Sequence, residues 1–412
     1  MAAPAVEGNQ VLVTKPASQN LETTSDELPF PDADLMQIVD LLSAEERQRY
    51  LSTREFLQRR IRPESIDYWN REAFPFELLP ELASYGLGEL QTDGSSQLFK
   101  GLMYFEVARA DVSLSALVGI HNELIVGMID ELGSEEQKQR WLPGLKVFRE
   151  LGAFALTEPN HGSDVAGGLE TTAELIDGEW IINGAKRWIG SGTVADFALV
   201  WARDLADNEI KGFIVETDRP GYSASKIVNK IGLRIMQNAD IVLDGVRVPE
   251  ANLLPGAKNF VAANELLRDS RAWVGWQGAG IQFATFDVAR DYVVRRHQFG
   301  KPLAKFQLVQ LGLSEIIGNA SCSLALMVQF ARLQDQREAQ MAQAAMVKAT
   351  TTRLARASVA QGRALLGGNG IVTDYEMAKI FGDAEILYTY EGSYEINSLI
   401  VGRAVTGMSA FV

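Results

Sequence analysis

The sequence predicts an α+β protein with a helical N-terminal domain, an antiparallel β domain in the middle and a larger helical C-terminal domain. Three observations carry this. Apolar residues recur three and four apart before about residue 150 and again after about 257. Between those limits the period falls to two, around Asp177-Gly178 and Asn183-Gly184 turn signals. The order helices, strands, helices also lacks the βαβ alternation that a doubly wound dinucleotide fold requires. With 412 residues, 47% of them apolar, the chain can fill more than one core.

Taken in order, residues 1–30 are polar, punctuated by proline and aperiodic, which reads as a disordered leader. Residues 31–150 read as the first helical domain. "DLMQIVDLLSAEERQRYLSTREFLQRRI" has helical spacing, and "GSEEQKQRWLPGL" opens with Ser134 as N-cap and Gln137 completing a capping box. Residues 151–256 form the β domain, in which "TTAELIDGEWIINGAKRWIG", "GFIVET" and "ADIVLDGVRVP" alternate between turns. Residues 257–412 form the second helical domain, with long runs such as "QMAQAAMVKATTTRLARASVAQGRALL" broken by the glycines at 367–370. "GAGIQF" superficially offers G-x-G, but no strand precedes it, so it reads as close helix packing.

Bulk properties exclude several functions. A formal charge of −14 argues against a nucleic-acid or anionic-membrane partner, because phosphate is bound by clustered Lys and Arg. The single cysteine, Cys322, forbids an internal disulfide, and His121, His161 and His297 lack metal-ligand spacing, so no metal is expected. No uninterrupted apolar run approaches the length of a membrane span, and neither a signal peptide nor a transit peptide is legible at the N-terminus. The chain therefore reads as cytoplasmic. Its ending "SAFV" is not a peroxisomal address.

Four stretches could carry chemistry. "LTEPNHGSD" (Leu156–Asp164) offers hydroxyl and backbone donors on a bent loop, suited to a heteroaromatic edge and a pyrophosphate, or is an ordinary turn. "KRWIGSG" places Trp188 at a strand end, where an indole stacks on a planar group or simply fills core. "RRHQFGKPLAKFQ" joins Arg296, Phe299 and Gln307 at a helix junction, with a solvated helix end as the bland alternative. "YTYEGSYEIN" sets Glu391 among tyrosines and apolar residues, which disfavours its charged form and raises its pKa toward the range of a general base. Gly392 lets a planar substrate approach the backbone. The alternative is a glutamate capping the next helix. Arg271, beside Trp273 and Trp276, is a further candidate or a structural ion pair.

Together, "LTEPNHGSD", "INGAKRWI", "RRHQFGKPLAKFQ", "LLGGNG" and "YEGSYEI" occur in the order found in the acyl-CoA dehydrogenase family, which the chain resembles over nearly its whole length after the leader. Within that family it looks most like the glutaryl-CoA dehydrogenase and short-chain acyl-CoA oxidase branch. The resemblance implies a middle β-barrel, a C-terminal four-helix bundle, a homotetramer and FAD. It implies that Leu156, Thr157 and Ser163 line the flavin and its pyrophosphate, with Trp188, Ile189 and Gly190 against the ring. Arg296, Phe299, Gln307, Gly367, Gly368, Ser393 and Glu395 would hold the adenosine part across a subunit interface. Glu391 matches the base that removes the α proton of an acyl-CoA, and Arg271 the arginine beside it. Ser163, Arg268, Arg271, Tyr390 and Gly392 would meet the substrate.

Two departures bear on the reaction. Ser115 and Gly119 stand where glutaryl-specific enzymes carry an arginine and a serine, which disfavours glutaryl-CoA because a buried carboxylate would lack its partner. Gly190 stands where most dehydrogenases have threonine, which implies open space beside the flavin and brings in oxygen as an acceptor beside electron-transfer flavoprotein. The expected activity is dehydrogenation of a short- or medium-chain acyl-CoA. The alternatives are an acyl-CoA oxidase and a non-catalytic acyl-CoA-binding protein.

Overall fold

The computed structural model describes Leu28 and residues 30–410, so the leader predicted for residues 1–30 lies almost wholly outside the described residues. The first helix starts later than its apolar spacing suggests. Ile38–Leu41 forms only a 3-10 turn, and α1 (Ala44–Phe56) begins where Ser43 and Glu46 close a capping box. Then follow α2 (Arg62–Arg71), α3 (Leu79–Ser84), α4 (Gln97–Ala110), α5 (Val112–Gly119), α6 (Gly127–Leu132) and α7 (Glu135–Leu145). The Ser134–Gln137 capping box is present at the start of α7. Gln137 also donates from Nε2 to the carbonyls of Ala251 and Leu253, at 2.8 and 3.0 Å, so the same cap fastens α7 to the exit of the sheet.

The middle of the chain supplies β1 (Gly152–Ala155), β2 (Thr172–Ile176), β3 (Glu179–Ile189), β4 (Phe197–Asp204), β5 (Ile210–Glu216), β6 (Tyr222–Lys226) and β7 (Ala239–Pro249), with a short helix α8 (Val165–Gly168) between β1 and β2. They form one seven-stranded sheet in the order β1-β4-β2-β3-β7-β6, with β5 on β4. The expectation of an antiparallel domain needs correction, because β1 and β2 both run parallel to β4 along one of its edges. The Asp177-Gly178 hairpin is as predicted, both residues having positive φ (53° and 83°), the geometry of a type I′ turn. Asn183-Gly184 is not a turn. It lies inside β3 at a shift of register against β7, where Gly184 lets the strand pass against Thr171. The run "FALVWA" of β4 is buried on both faces: Phe197, Leu199 and Trp201 meet Trp141 and Leu145 of α7, while Ala198, Val200 and Ala202 meet Trp180 and Phe213 inside the curled sheet.

The C-terminal part has three long helices, α9 (Phe260–Arg295), α10 (Gln307–Asp335) and α11 (Met341–Leu366), followed by α12 (Met377–Thr389) and α13 (Tyr394–Thr406). A two-stranded hairpin, β8 (His297–Gln298) and β9 (Lys301–Pro302), projects between α9 and α10. The glycines of "GAGIQF" serve helix packing, as read from the sequence. A methyl group at Gly278 would lie 2.7 Å from Thr351 Oγ1 of α11, and one at Gly280 would strike the Phe105 carbonyl of α4. Two helical stretches, Val112–Leu132 and Gln307–Asp335, are long and apolar enough to cross a membrane. This corrects the reading that no such run exists, because these stretches are interrupted by polar residues such as His121 and Glu123 or Glu315 and Asn319. The first is a core segment, 89% of its most apolar window being buried inside the fold.

Buried ionic groups bind the three parts together. Asp383 of α12 accepts from Trp69 Nε1 of α2 at 3.0 Å and from the Leu233 amide after β6 at 2.7 Å, while Lys379 bridges Asp383 and Asp111. Beside it Gly232 and Gly382 allow backbone-to-backbone contact. Arg109 of α4 clasps Asp287 of α9 through two nitrogens, at 2.7 and 2.9 Å. These contacts fix the helices around the segment that links α12 to α13.

Candidate active site

That segment carries Glu391. Glu391 and Gly392 take positive φ in succession, 54° and 76°, and a non-glycine residue there costs on the order of 1–3 kcal/mol unless its surroundings enforce it. The enforcing contacts are specific. Asn397 of α13, fully buried, donates from Nδ2 to the carbonyls of Gly392 (2.7 Å) and Ser393 (3.0 Å). Lys348 of α11 donates to the carbonyls of Tyr388 (3.2 Å) and Gly392 (2.7 Å). Ser393 is the cap of α13, its hydroxyl accepting from the Ile396 amide at 3.3 Å, so Glu391 is not a helix cap.

The Glu391 carboxylate accepts from the Ser270 hydroxyl of α9 at 3.1 Å. Burial pushes its pKa up; the Arg271 guanidinium, the Ser270 hydrogen bond and the Lys348 ammonium oppose this, and the net position is above the usual carboxylate range. Arg271 is itself held down by burial, and it donates to the Leu267 carbonyl (2.6 Å) and Asn397 Oδ1 (3.2 Å). Of the two neighbouring tyrosines only Tyr390 shields the site. Its hydroxyl donates to Gln277 Oε1 and its ring meets Trp273 edge-on at 5.6 Å. Tyr388 turns away, stacked on Tyr394 at 4.9 Å with its hydroxyl toward Glu395, so only one of the two tyrosines that surround Glu391 in the sequence stands against it in space.

The strand side of the site is built by a bulge. The pairing of β3 with β7 slips between Lys186 and Ile189, and Trp188 takes φ 66° there, which turns its indole outward, 53% exposed, under the Arg187 guanidinium. An indole face exposed in this way is able to stack on a planar group. Ile189 is buried in the sheet core. In "LTEPNHGSD" the structure separates roles that sequence alone left merged. Glu158 is structural: buried, it accepts from Lys186 Nζ (2.9 Å) and the amides of Glu170 and Thr171 (2.6 and 2.8 Å), which pins the loop to β3. Leu156 is buried, its carbonyl accepting from Lys186. Thr157 and Ser163 remain with hydroxyls that bond to no protein partner among the described residues, which suits them to a ligand.

Gly119 and Ile120 connect the two sides. A methyl group at Gly119 would lie 2.5 Å from the Trp273 ring, while Ile120 Cδ1 and Met236 Cε lie 3.0 and 2.8 Å from the place of a Cβ on Gly190. This corrects the expectation of open space at Gly190, because the volume of the absent side chain is taken by Met236 and Ile120. The residues assigned to the adenosine part are mostly exposed in the single chain. Arg296 and Gln307 are exposed, Phe299 is 92% exposed at the tip of the β8–β9 hairpin, and Gly367 and Gly368 are exposed where α11 ends. Glu395 is exposed on α13, and Arg268 is half-buried on α9. Phe299 and Gly300 both have positive φ, 52° and 76°, so the hairpin holds a strained phenylalanine in solvent.

Sequence reasoning missed Ser270, Lys348, Asn397 and Met236. The first two are spaced as ordinary residues of long helices, and Met236 lies in an irregular loop. Asn397, sited in the first half of α13, was legible only as a polar residue in an apolar run.

These features match a known architecture. Residues 43–146 match the acyl-CoA dehydrogenase N-terminal domain, 153–246 the middle domain and 260–406 the C-terminal domain. The chain belongs to the acyl-CoA dehydrogenase family, oxidoreductases that act on acyl-CoA. It is 31% identical over 359 residues to the short-chain specific acyl-CoA dehydrogenase of Rattus norvegicus mitochondria, covering 84% of this chain and 87% of that one. Among solved structures it is similar to glutaryl-CoA dehydrogenase from Mycobacterium smegmatis, with 36% identity, a TM-score of 0.88 and coverage of 92% and 99%. It is also similar to a glutaryl-CoA dehydrogenase of that organism in complex with FADH2, with 32% identity, a TM-score of 0.89 and the same coverage of 92% and 99%.

Proposed function

We propose that this chain catalyses the α,β-dehydrogenation of a short- or medium-chain acyl-CoA to the trans-2-enoyl-CoA, with FAD as cofactor and Glu391 as the base. The observation that carries the reading is the half-buried Glu391 carboxylate, its pKa raised by burial, held on a strained turn by Asn397 and Lys348 and not used as a cap. The donor set fits a flavin: an exposed indole at Trp188, unpartnered hydroxyls at Thr157 and Ser163, and Gly190 at the strand end. Bound there, FAD would supply the acceptor for the hydride leaving the β carbon. Arg296, Phe299, Gln307, Gly367, Gly368, Ser393 and Glu395 would hold its distal part from a second copy of the chain, in a homotetramer with a barrel-like middle domain and a four-helix C-terminal bundle.

The protein's own part is proton transfer and orientation. Glu391 removes the proton α to the thioester. The Ser270 hydroxyl has one proton and two acceptors in reach, Glu391 Oε2 at 3.1 Å and the Leu267 carbonyl at 2.8 Å. While Glu391 is ionised the hydroxyl donates to it. Once Glu391 carries the proton, the acid donates to Ser270 Oγ and the hydroxyl turns to Leu267. The base thus keeps a partner in both states, which avoids the cost of an orphaned buried group. The Glu391 amide donates to no protein acceptor among the described residues, so it is open to the thioester oxygen as negative charge develops. Arg268, Tyr390 and Gly392 would face the acyl-CoA.

Ser115 is buried with its hydroxyl donated to the Tyr104 carbonyl at 3.2 Å, and Trp273 covers Gly119, so neither position offers a cation to a distal carboxylate. This supports a simple acyl group. The filled volume at Gly190 supports a dehydrogenase that delivers electrons to electron-transfer flavoprotein in the cytoplasm over an oxidase. The test is Glu391→Gln, which is expected to abolish dehydrogenation. In wild type, peroxide release matching enoyl-CoA formation would point instead to oxygen as acceptor.

A further inference from the structure

Lys348 is wholly buried in the middle of α11, and its hold on the turn does not by itself call for a charge. Its ammonium donates to two neutral groups, the carbonyls of Tyr388 at 3.2 Å and Gly392 at 2.7 Å, which lie on either side of Glu391. A neutral amide donor could satisfy two carbonyls without the several kcal/mol that burying a charge costs. The charge therefore has another object. The charged groups that face it are Glu391 from the loop, Arg271 from α9 and Glu395 from α13. The phenol at Tyr388, on the last turn of α12, points to Glu395 instead.

We propose that Lys348 is a positioning residue for the base: it ties together the two peptide carbonyls that bracket Glu391, and its positive charge favours the ionised carboxylate in a site with little water. The inference rests on the reading of Glu391 as base. Burial pushes Lys348 down to about 7, Glu391 opposes this and Arg271 adds to it, so the lysine and the glutamate titrate as a coupled pair. Arg271 is the stronger positive neighbour of the carboxylate, and Lys348 adds a second one.

Three substitutions separate grip from charge. Lys348→Gln keeps a donor for the carbonyls and loses the charge, Lys348→Met loses both, and Lys348→Arg keeps the charge. The readouts are the pH profile of kcat, KM for acyl-CoA, and amide hydrogen exchange between Thr389 and Ser393. Loss of the positive neighbour raises the Glu391 pKa, and activity is lost as pH falls through that pKa. The acidic limb of kcat should therefore move up by about one pH unit in Lys348→Gln and Lys348→Met. Lys348→Arg should restore the limb. Only Lys348→Met should also speed exchange in the loop and lower the high-pH plateau, by about tenfold, with KM little changed. A wild-type limb in Lys348→Gln, or unchanged loop exchange in Lys348→Met, overturns the proposal. If Lys348→Met does not fold, the limbs of Lys348→Gln and Lys348→Arg decide. Full activity in Glu391→Gln would instead sink the reading of the base, a distinguishable result.

Discussion

Glu391 is held in a backbone conformation that glycine takes freely and glutamate does not, and the energy that holds it comes from neighbours that bond its flanking carbonyls rather than its side chain. Among the described residues the carboxylate has one hydroxyl partner, Ser270. Removing that partner should raise the Glu391 pKa, since the hydrogen bond favours the charged form. Ser270→Ala is therefore expected to shift the acidic limb of kcat to higher pH by about one unit, with stability nearly unchanged; an unshifted pH profile would show that the hydroxyl is not bonded to the base in solution. At Gly392 a side chain would meet both the positive φ and Asn397 Nδ2, 3.1 Å from the place of a Cβ. Gly392→Ala should cost about 1 kcal/mol in denaturant unfolding and far more in kcat than in KM. Sequence reasoning singled out Glu391 because a carboxylate among tyrosines and apolar residues is physically unusual. It gave Gly392 only the role of admitting substrate, because dihedral angles are not written in residue types.

At the level of elements, what was legible depended on how local the cause was. The Ser134 capping box and the Asp177-Gly178 hairpin are set by neighbours within a few residues, and both are present. Asn183-Gly184 carries the same turn signal but sits inside β3, because pairing with β7 on one side and Thr171 on the other outweighs the dipeptide's preference. The parallel placement of β1 and β2 on β4 depends on chain paths between distant residues, which alternation cannot encode. The β8–β9 hairpin departs from local rules. It carries a strained phenylalanine that is 92% exposed. Phe299→Ala is expected to leave the unfolding midpoint of the flavin-free protein within about 0.5 kcal/mol of wild type while weakening flavin retention, measured by dialysis. Equal retention would remove the hairpin from the cofactor site.

For the whole molecule, the three parts are locked by buried charges, and this makes the assembly acid-sensitive. Burial pushes the Asp287 carboxyl up, but Arg109, Arg62 and Arg290 outweigh it and hold its pKa below the usual range. A carboxylate with a depressed folded-state pKa contributes stability above its unfolded value, about 3.9, and that contribution fades as pH falls toward the folded value. Below about pH 4 the clasp between α4 and α9 should weaken, and Asp287→Asn should remove that pH dependence while costing about 3–5 kcal/mol near neutrality. The helix–strand–helix order was readable because each period persists over many residues; the ionic lock was not, since Arg109 and Asp287 are 178 residues apart. The account as a whole stands on Glu391 as the group that takes the α proton. Its most direct test is to mix the purified flavin-loaded protein with a short-chain acyl-CoA in the absence of oxygen and follow the flavin absorbance. Bleaching in wild type and none in Glu391→Gln with flavin still bound is the predicted result, whereas equal bleaching in the two proteins would contradict it.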